Sequence, residues 1–362
     1  MYFGLSEEQH FFQNSIARFL ENKTTVENIR QYARGDSEKF ADEIHNGLIE
    51  LGINNLMIPE SYGGLGLDLL YATAVSESLG AYIAPVPYTG SYIMTPMAIM
   101  LAGSRDQKEK YLHAISNNEI HFGFGVTEYI ASRENAEIIL NNKTANGRAL
   151  FVMDGLNATH YILTTKSGTI FIINANDPNL QIVQLTTVDK TKDVSELILN
   201  SCQVEVLQKS VNDTSIIDKV IDAGRIMVAA DSLGASQSMI DKSVNYSKER
   251  IQFGRVIGSF QAVKHMCAEM TANIQPCYSM VWYAAHCHDY IQEESRLMAT
   301  HTKAHVSEVA SFIAKTSTEV HGGMGFTDEL GLHYWFKRIG LNRQILGGVE
   351  VNREEAATVQ NF

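Results

Sequence analysis

The run Arg250-Ile-Gln-Phe-Gly-Arg-Val-Ile-Gly-Ser-Phe-Gln-Ala-Val-Lys-His265 carries more chemistry than any other stretch of the chain. Arg250 offers a bidentate grip on a phosphate, Phe253 an aromatic plane, and Gln261 a polar reach from the first turn of a helix. The glycines at Gly254 and Gly258 break one helix and restart another, with Ser259 as the expected N-cap. A plain helix–helix connector accounts for the glycines and the serine, but not for the arginine, the aromatic ring and the glutamine together. Two glycine clusters, Gly63-Gly64-Leu-Gly66 and Gly322-Gly323-Met-Gly325, would let backbone approach a ligand closely. Neither follows a strand pattern, so the dinucleotide-binding turn is excluded. The second cluster follows a long helical run and reads equally as a C-terminal cap. Metal chemistry has weaker grounds. His301 and His305 share a helix face, yet residues 302–304 are Thr-Lys-Ala, so the His-Glu-x-x-His arrangement is absent. His286-Cys287-His288 sets neighbours on different helix faces, where packing is the better reading.

The elements that must position these groups follow from the prolines and from periodicity. Pro59, Pro85, Pro87 and Pro96 fall in the first hundred residues and Pro178 near the middle. Only Pro276 comes later, which leaves the C-terminal part free for long helices. Residues 1–118 read as a helical domain. Ser6 and Gln9 form a capping box that opens a helix over Glu7–Glu21, with Phe11, Phe12, Ile16, Phe19 and Leu20 assigned to one face. Pro59–Leu67 is a glycine-rich loop and a further helix starts near Asp68. Residues 119–212 read as a small antiparallel β domain, from β-rich runs at Tyr161–Thr165, Thr169–Ile173 and Glu196–Leu199. Residues 213–362 return to the helical period, with long helices over 216–250, 260–291 and 295–321, the pattern of a bundle. The expected fold class is therefore α+β, mostly α.

Composition bounds the function. At 362 residues, 45% hydrophobic and 19% charged, the chain has ample core material for two or three domains. Lys+Arg of 29 against Asp+Glu of 41 leaves a net charge of −12, which weighs against a nucleic-acid partner held by its phosphates. No apolar run approaches the roughly 20 residues needed to span a bilayer, and no basic segment followed by an apolar run opens the chain. Four cysteines do not make a disulfide framework in a chain this long. A soluble, cytoplasmic protein with reduced thiols is expected.

Along its full length the sequence resembles the acyl-CoA dehydrogenase family. The motifs occur in order: Leu5-Ser-Glu-Glu-Gln9, Pro59-Glu-x-Tyr-Gly-Gly-x-Gly66, Val126-Thr-Glu128, Arg250-x-x-Phe-Gly-x-x-Ile-x-x-Phe-Gln261 and His321-Gly-Gly-Met-Gly-Phe326. The resemblance implies an N-terminal helical domain, a middle β domain and a C-terminal four-helix bundle. It also implies an oxidoreductase that binds FAD and desaturates a CoA thioester. In the family a carboxylate takes the α-proton, the β-hydrogen leaves as hydride to the flavin, and the electrons pass to an electron-transfer flavoprotein. Such chemistry needs a general base in reach of the α-carbon and donors to the thioester oxygen.

Residue by residue, the resemblance carries over unevenly. Arg250, Phe253 and Gln261 match positions that hold the diphosphate and adenosine half of an FAD lodged mainly in a neighbouring subunit, and Gly322 and Gly323 match as well. Glu319 stands where the family usually has Gln. In Thr127-Glu-Tyr-Ile-Ala-Ser-Arg-Glu134 the first threonine is kept, the family's Pro and Gly are lost, and Ser132 fits with a one-residue shift as a substrate contact. Phe151 takes the place of the aromatic that packs on the isoalloxazine, and Met153 falls where the family commonly has Thr. Arg225 matches a substrate-side arginine. The usual base position is Gly347, and the alternative one on the first bundle helix is Gly224. Neither offers a proton acceptor, which leaves Glu350 or Asp222 as displaced candidates. Three readings stand: a subunit of a hetero-oligomer whose related partner supplies the base, a self-sufficient homotetramer with a displaced base such as Glu350, and a non-catalytic flavin- or CoA-binding relative. The expected partners are an acyl-CoA thioester, an electron-transfer flavoprotein and a homologous subunit in a dimer or tetramer.

Overall fold

The structure, a computed structural model, describes residues 4–131 and 137–362. Helix α1 (Glu7–Lys23) begins at the capping box: the Gln9 N–H donates to Ser6 Oγ at 3.2 Å and the Ser6 N–H to Gln9 Oε1 at 2.7 Å. Ile16 and Leu20 are buried, while Phe11, expected on the same face, is exposed. Five residues of helix turn it about 140° away from Ile16. Next come α2 (Val26–Arg34), α3 (Glu38–Glu50) and α4 (Leu69–Ala81), the last capped by the Asp68 carboxylate. A π-helical turn over Thr89–Met94 runs into α5 (Thr95–Ala102), followed by α6 (Arg105–Ser116).

The middle module contains β1 (Phe122–Gly125), a single turn of helix α7 (Thr127–Ile130), β2 (Ile139–Asn141), β3 (Thr144–Met153), β4 (His160–Thr164), β5 (Ile170–Asn174), β6 (Leu180–Gln184), β7 (Val194–Gln203) and β8 (Glu205–Val206). They form one sheet in the order β6-β7-β3-β1-β4-β5-β8, with β2 also paired to β3. The expectation of an antiparallel sheet holds for the described pairs except one. β1 and β4 run parallel, from Phe122 opposite His160 to Gly125 opposite Leu163. Residues 154–159 carry the chain from β3 across β1 to β4, so these two strands flank β1 in opposite directions and one flank must be parallel. The Phe-Gly-Phe-Gly sequence of β1 hides it from a strand search. Its glycines are required by packing, because a Cβ at Gly123 would stand 2.8 Å from the Tyr161 ring and one at Gly125 2.7 Å from Leu163.

The C-terminal part comprises α8 (Thr214–Glu249), the hairpin β9 (Ile251–Gln252) and β10 (Arg255–Val256), and helices α9 (Gln261–Tyr290), α10 (Gln292–His321), α11 (His333–Gln344) and α12 (Val349–Val359). Pro276 lies inside α9 on its exposed face. Ser259 is not the N-cap. Phe260 occupies that position, and the Ser259 hydroxyl donates back to the Val256 carbonyl at 2.7 Å. Helix α4 packs directly on α8, with Gly80 against the backbone of Asp231 and Gly234 against that of Glu77. A continuous core runs from Ile16 through Leu79 and Phe124 to Val228 and Ile313, so the N-terminal helices, one sheet face and the bundle share an interior. The other face of the sheet has its own cluster around Tyr161, Phe171 and Leu197. Among the described residues no helix is long and apolar enough to cross a membrane, and no cluster of His, Cys, Asp and Glu could hold a metal ion.

Candidate active site and cofactor half-sites

The loop between α11 and α12, residues 345–348, carries the first base position. Gly347 has φ +94°, and a Cβ on it would lie 3.1 Å from Asn352 Nδ2 and 3.2 Å from Val351 Cγ1. Glycine is thus favoured by conformation, and a side chain would also press on Asn352 and Val351. The loop is held from three sides. Arg225 Nε donates to the Leu346 carbonyl at 3.0 Å. Asn352 Nδ2 donates to the carbonyls of Gly347 and Gly348, both at 2.9 Å. Lys303, fully buried, donates to the Asn342 carbonyl at 2.7 Å and so closes the C-terminal end of α11. Burial pushes the Lys303 ammonium down to about 7.

The second base position, Gly224 on α8, faces the same loop. A Cβ there would stand 2.6 Å from Leu346 Cδ1 and 2.6 Å from Met94 Sδ, so these two side chains fill the space in which a side chain at 224 would project. Arg225, expected at the substrate, is instead a positioning group. It is wholly buried, its NH groups grip Glu355 at 2.6 and 2.8 Å, and its third donor is spent on the loop carbonyl. Asp222 is locked beside it by Arg296 at 2.8 Å. Glu350 stands in the first turn of α12 with its side chain 82% exposed, 3.6 Å from Arg343.

On the sheet, Thr127 opens α7 and Phe151 sits on β3 at a register shift between Ala149 and Val152, with φ +53° and its ring half exposed. Glu128 supports this bulge by accepting from the Leu150 N–H at 3.0 Å. A bulge that turns an aromatic outward in a left-handed conformation is a device for presenting a ring. Met153, two residues on, is buried. Ser132 lies outside the described residues.

The adenosine-side residues gather at one end of the bundle. Ser243 on α8 and Ser317 on α10 share a hydrogen bond at 2.7 Å, and Tyr246 stacks on His321 at 4.6 Å. These contacts bring Arg250 at the end of α8 beside Gly322 and Gly323 at the end of α10. Phe253 and Gly254 are the central residues of the β9–β10 hairpin, with φ +52° and +77°. Both values are positive, as a two-residue type I′ turn demands, although a phenylalanine is costly there. Its ring is 92% exposed. Gln261, Glu319, Gly322 and Gly323 are also exposed, and a Cβ on either glycine would meet nothing within 4 Å of this chain. The backbone at Gly322 and Gly323 is therefore open to approach from outside the chain, with the exposed Arg250 guanidinium and Glu319 carboxylate at the same end of the bundle.

Sequence reasoning missed a buried polar system beside the reaction loop. Arg338 on α11 donates to Asp189 at 2.6 Å and to Asp231 at 3.1 Å, and Asn342 donates to Asp231 at 2.6 Å. Asp154 follows Met153 at the end of β3, accepts from the Gly90 N–H at 3.1 Å, and has its carboxyl pushed up by burial to about 7. These residues come from segments far apart in sequence, so spacing gave no signal. The only local hint was the Asp154-Gly155 pair, a common turn signature.

The N-terminal domain model of the acyl-CoA dehydrogenases matches residues 6–119, and the C-terminal domain model of the same family matches residues 214–359. The chain is 26% identical over 345 residues to the acyl-CoA dehydrogenase IpdE2 of Mycolicibacterium smegmatis, covering 95% of this chain and 96% of that protein. It is 26% identical over 354 residues to the caffeyl-CoA reductase-Etf complex subunit CarC of Acetobacterium woodii, covering 91% of each. The butyryl-CoA dehydrogenase structure from Megasphaera elsdenii superposes with a TM-score of 0.89 at 24% identity over 100% of both chains.

Proposed function

The chain belongs to the acyl-CoA dehydrogenase family, and from that premise we propose that it is one subunit of an FAD-dependent hetero-oligomer acting on the α,β bond of a CoA thioester, with the catalytic base supplied by a homologous partner. One observation carries the reading: both base positions are glycines, Gly347 at a φ of +94° and Gly224 with Leu346 and Met94 in the space where its side chain would project, while the residues matched to the adenosine half-site are exposed on the surface. When bound, FAD supplies the hydride acceptor. This chain's contribution is to bind and position. Arg250, Phe253, Gln261, Gly322 and Gly323 would hold the adenosine end of a cofactor whose ring rests on the partner. Thr127 and Phe151 would meet the ring end of a second one.

Glu350 is poorly placed for a displaced base, because its carboxylate is in solvent and beside Arg343. A proton acceptor must come within hydrogen-bond reach of the α-carbon, and a solvated acid on the outer turn of a helix does not. The electron partner fits an electron-transfer flavoprotein, in line with the name of the Acetobacterium relative. Relatives are named both dehydrogenases and reductases, so the family works the α,β bond in either direction.

The test is co-expression with a homologous chain that carries a glutamate at the position corresponding to Gly347. Stoichiometric flavin and thioester-dependent bleaching only in the mixed assembly is the expected result. Full flavin loading and bleaching by this chain alone would overturn the reading in favour of the self-sufficient enzyme, and no flavin in either preparation would leave the non-catalytic relative.

A further inference from the structure

A cavity of about 790 Å³ opens between α2, α3, the segment Pro85–Ser91 and the sheet, a size that takes a drug-sized organic group. It shares Asp154 and Asp193 with a second, water-sized cavity of about 20 Å³, which reaches Met153, Val228 and Ile345 beside the reaction loop. Asp154 and Asp193 are thus a wall common to the large cavity and to the small one beside the loop that carries Gly347.

One wall of the large cavity is built around Tyr92. Its hydroxyl lies 2.6 Å from His45 Nε2 and 3.4 Å from His121 Nδ1, and both imidazoles line the cavity. The two rings meet edge to face with centroids 5.5 Å apart. Burial, and for His45 the neighbouring His121, hold both imidazoles below the ordinary histidine range, His45 at about 4, so both are neutral at pH 7. A tyrosine hydroxyl has one proton to give. The shorter of the two contacts favours giving that proton to His45 Nε2, with His45 then protonated on Nδ1. The tyrosine oxygen then accepts from His121 Nδ1–H, which leaves His121 Nε2 as an acceptor. Among the described residues no protein partner meets His45 Nδ1 or His121 Nε2. The wall thus offers one neutral donor and one neutral acceptor side by side, the complement of a hydroxyl group.

We infer that this cavity receives the distal end of the acyl group and that His45, Tyr92 and His121 select an uncharged, hydroxyl-bearing end over a plain hydrocarbon one. The inference rests on the acyl-CoA reading above and adds a substrate class to it. A hydroxyl accepts from His45 Nδ1–H and donates to His121 Nε2. A hydrocarbon end leaves both ring nitrogens dry and unpaired, which is where the discrimination arises. The cavity wall also carries Arg34 and Lys190 alongside Asp42, Asp154 and Asp193, so its charges are of both signs and the selection assigned here rests on the two neutral imidazoles.

The test is calorimetric binding of plain acyl-CoAs and their ω-hydroxy counterparts, from hexanoyl to dodecanoyl, to the flavin-loaded protein as it purifies from co-expression. At the chain length that reaches the cavity, the ω-hydroxy thioester should bind about tenfold tighter than its plain partner, the size of one to two neutral hydrogen bonds. His121→Leu, which removes one of the unpaired nitrogens, should erase that preference by tightening plain acyl-CoA binding, and the shape-conserving Tyr92→Phe should weaken it by releasing both rings from the tyrosine oxygen; unchanged flavin content and circular dichroism show that the variants are folded. Equal binding of the pair at every length, or a preference that survives both substitutions, overturns the inference and leaves the acyl-CoA reading standing. Failure of every thioester to bind is a different pattern and overturns the acyl-CoA reading with the inference. Histidine nitrogen spectra give a second, independent readout: both rings should be neutral and of the same tautomer, protonated on Nδ1, and a charged ring or a pair of unlike tautomers would remove the donor–acceptor pair.

Discussion

Asp154 shows how far a single residue's chemistry depends on contacts that sequence does not reveal. Its carboxyl, ordinarily near 3.8, is pushed up to about 7 by burial, although the Gly90 amide donates to it and Lys192 lies near. A carboxyl whose folded pKa exceeds its unfolded one binds its proton more tightly in the folded state, so its stabilising contribution is present at low pH and is lost as pH rises from about 4 to about 7. Asp154→Asn keeps an acceptor for the Gly90 N–H and cannot ionise. The variant should therefore gain thermal stability relative to the wild type between about pH 5 and about pH 8, and an unchanged difference in melting temperature across that interval would refute the assignment. Gly347 makes the opposite case. Its identity was legible in sequence as the loss of a base, but its φ of +94° was not. Gly347→Ala should cost about 1–2 kcal/mol from backbone strain, with the contact to Asn352 adding to it, as measured by chemical denaturation. Arg225 was legible as important and misread in role, because only the fold reveals that Glu355 and the Leu346 carbonyl occupy its donors.

At the scale of elements, local signals succeeded where one segment contains its own instructions. The capping box at Ser6 and the Asp68 cap of α4 follow from side chains within a few positions of the boundary, whereas α9 and α10 begin without a side-chain cap and were legible only from their helical period. Tertiary pairing was invisible. β1 is written in alternating glycines because Tyr161 and Leu163 press against it, and its parallel partner is set by the crossing at 154–159. Helix α4 meets α8 backbone to backbone at Gly80 and Gly234. Gly234→Ala improves helix propensity yet forces the two helices apart, so a net loss of about 1–3 kcal/mol is expected, and a stabilised variant would show that the contact is slack. The β9–β10 hairpin behaves differently because nothing in this chain covers its tip. Arg250→Ala should lower flavin retention in the assembly by about 1.5–3 kcal/mol, the loss of a charge-assisted hydrogen bond, while the fold of the chain is unaffected. Flavin content unchanged after dialysis would mark this surface as a relic.

For the molecule as a whole, the interior is fastened and the adenosine surface is open. Arg338 ties the sheet loop at Asp189 to α8 at Asp231 and to the Ala84 carbonyl, and Arg225 ties α8 to the reaction loop and α12, so the three parts of the chain bear on one site as a rigid frame. In contrast, Phe253 and Phe326 present 92% and 77% of their surfaces to solvent at the bundle end that carries Gly322 and Gly323. Two large exposed aromatics on one end of a bundle are the kind of surface that a second subunit covers. The assembly, not the chain, is therefore the unit that should turn over. The isolated protein is expected to show no flavin bleaching with any CoA thioester, and Gly347→Glu should not repair it. A glutamate at that position would have to adopt φ near +94° with its Cβ against Asn352 and Val351, and a displacement of about 1 Å at a reacting carboxylate costs on the order of 100-fold in rate. Activity should appear only when a partner with its own carboxylate is added, and Glu350→Gln in this chain should leave that activity within about twofold, because an exposed carboxylate beside Arg343 contributes little. If Glu350→Gln instead abolished turnover while flavin content stayed constant, the base would belong to this chain after all, and the glycine at 347 would mark a relocated catalytic group.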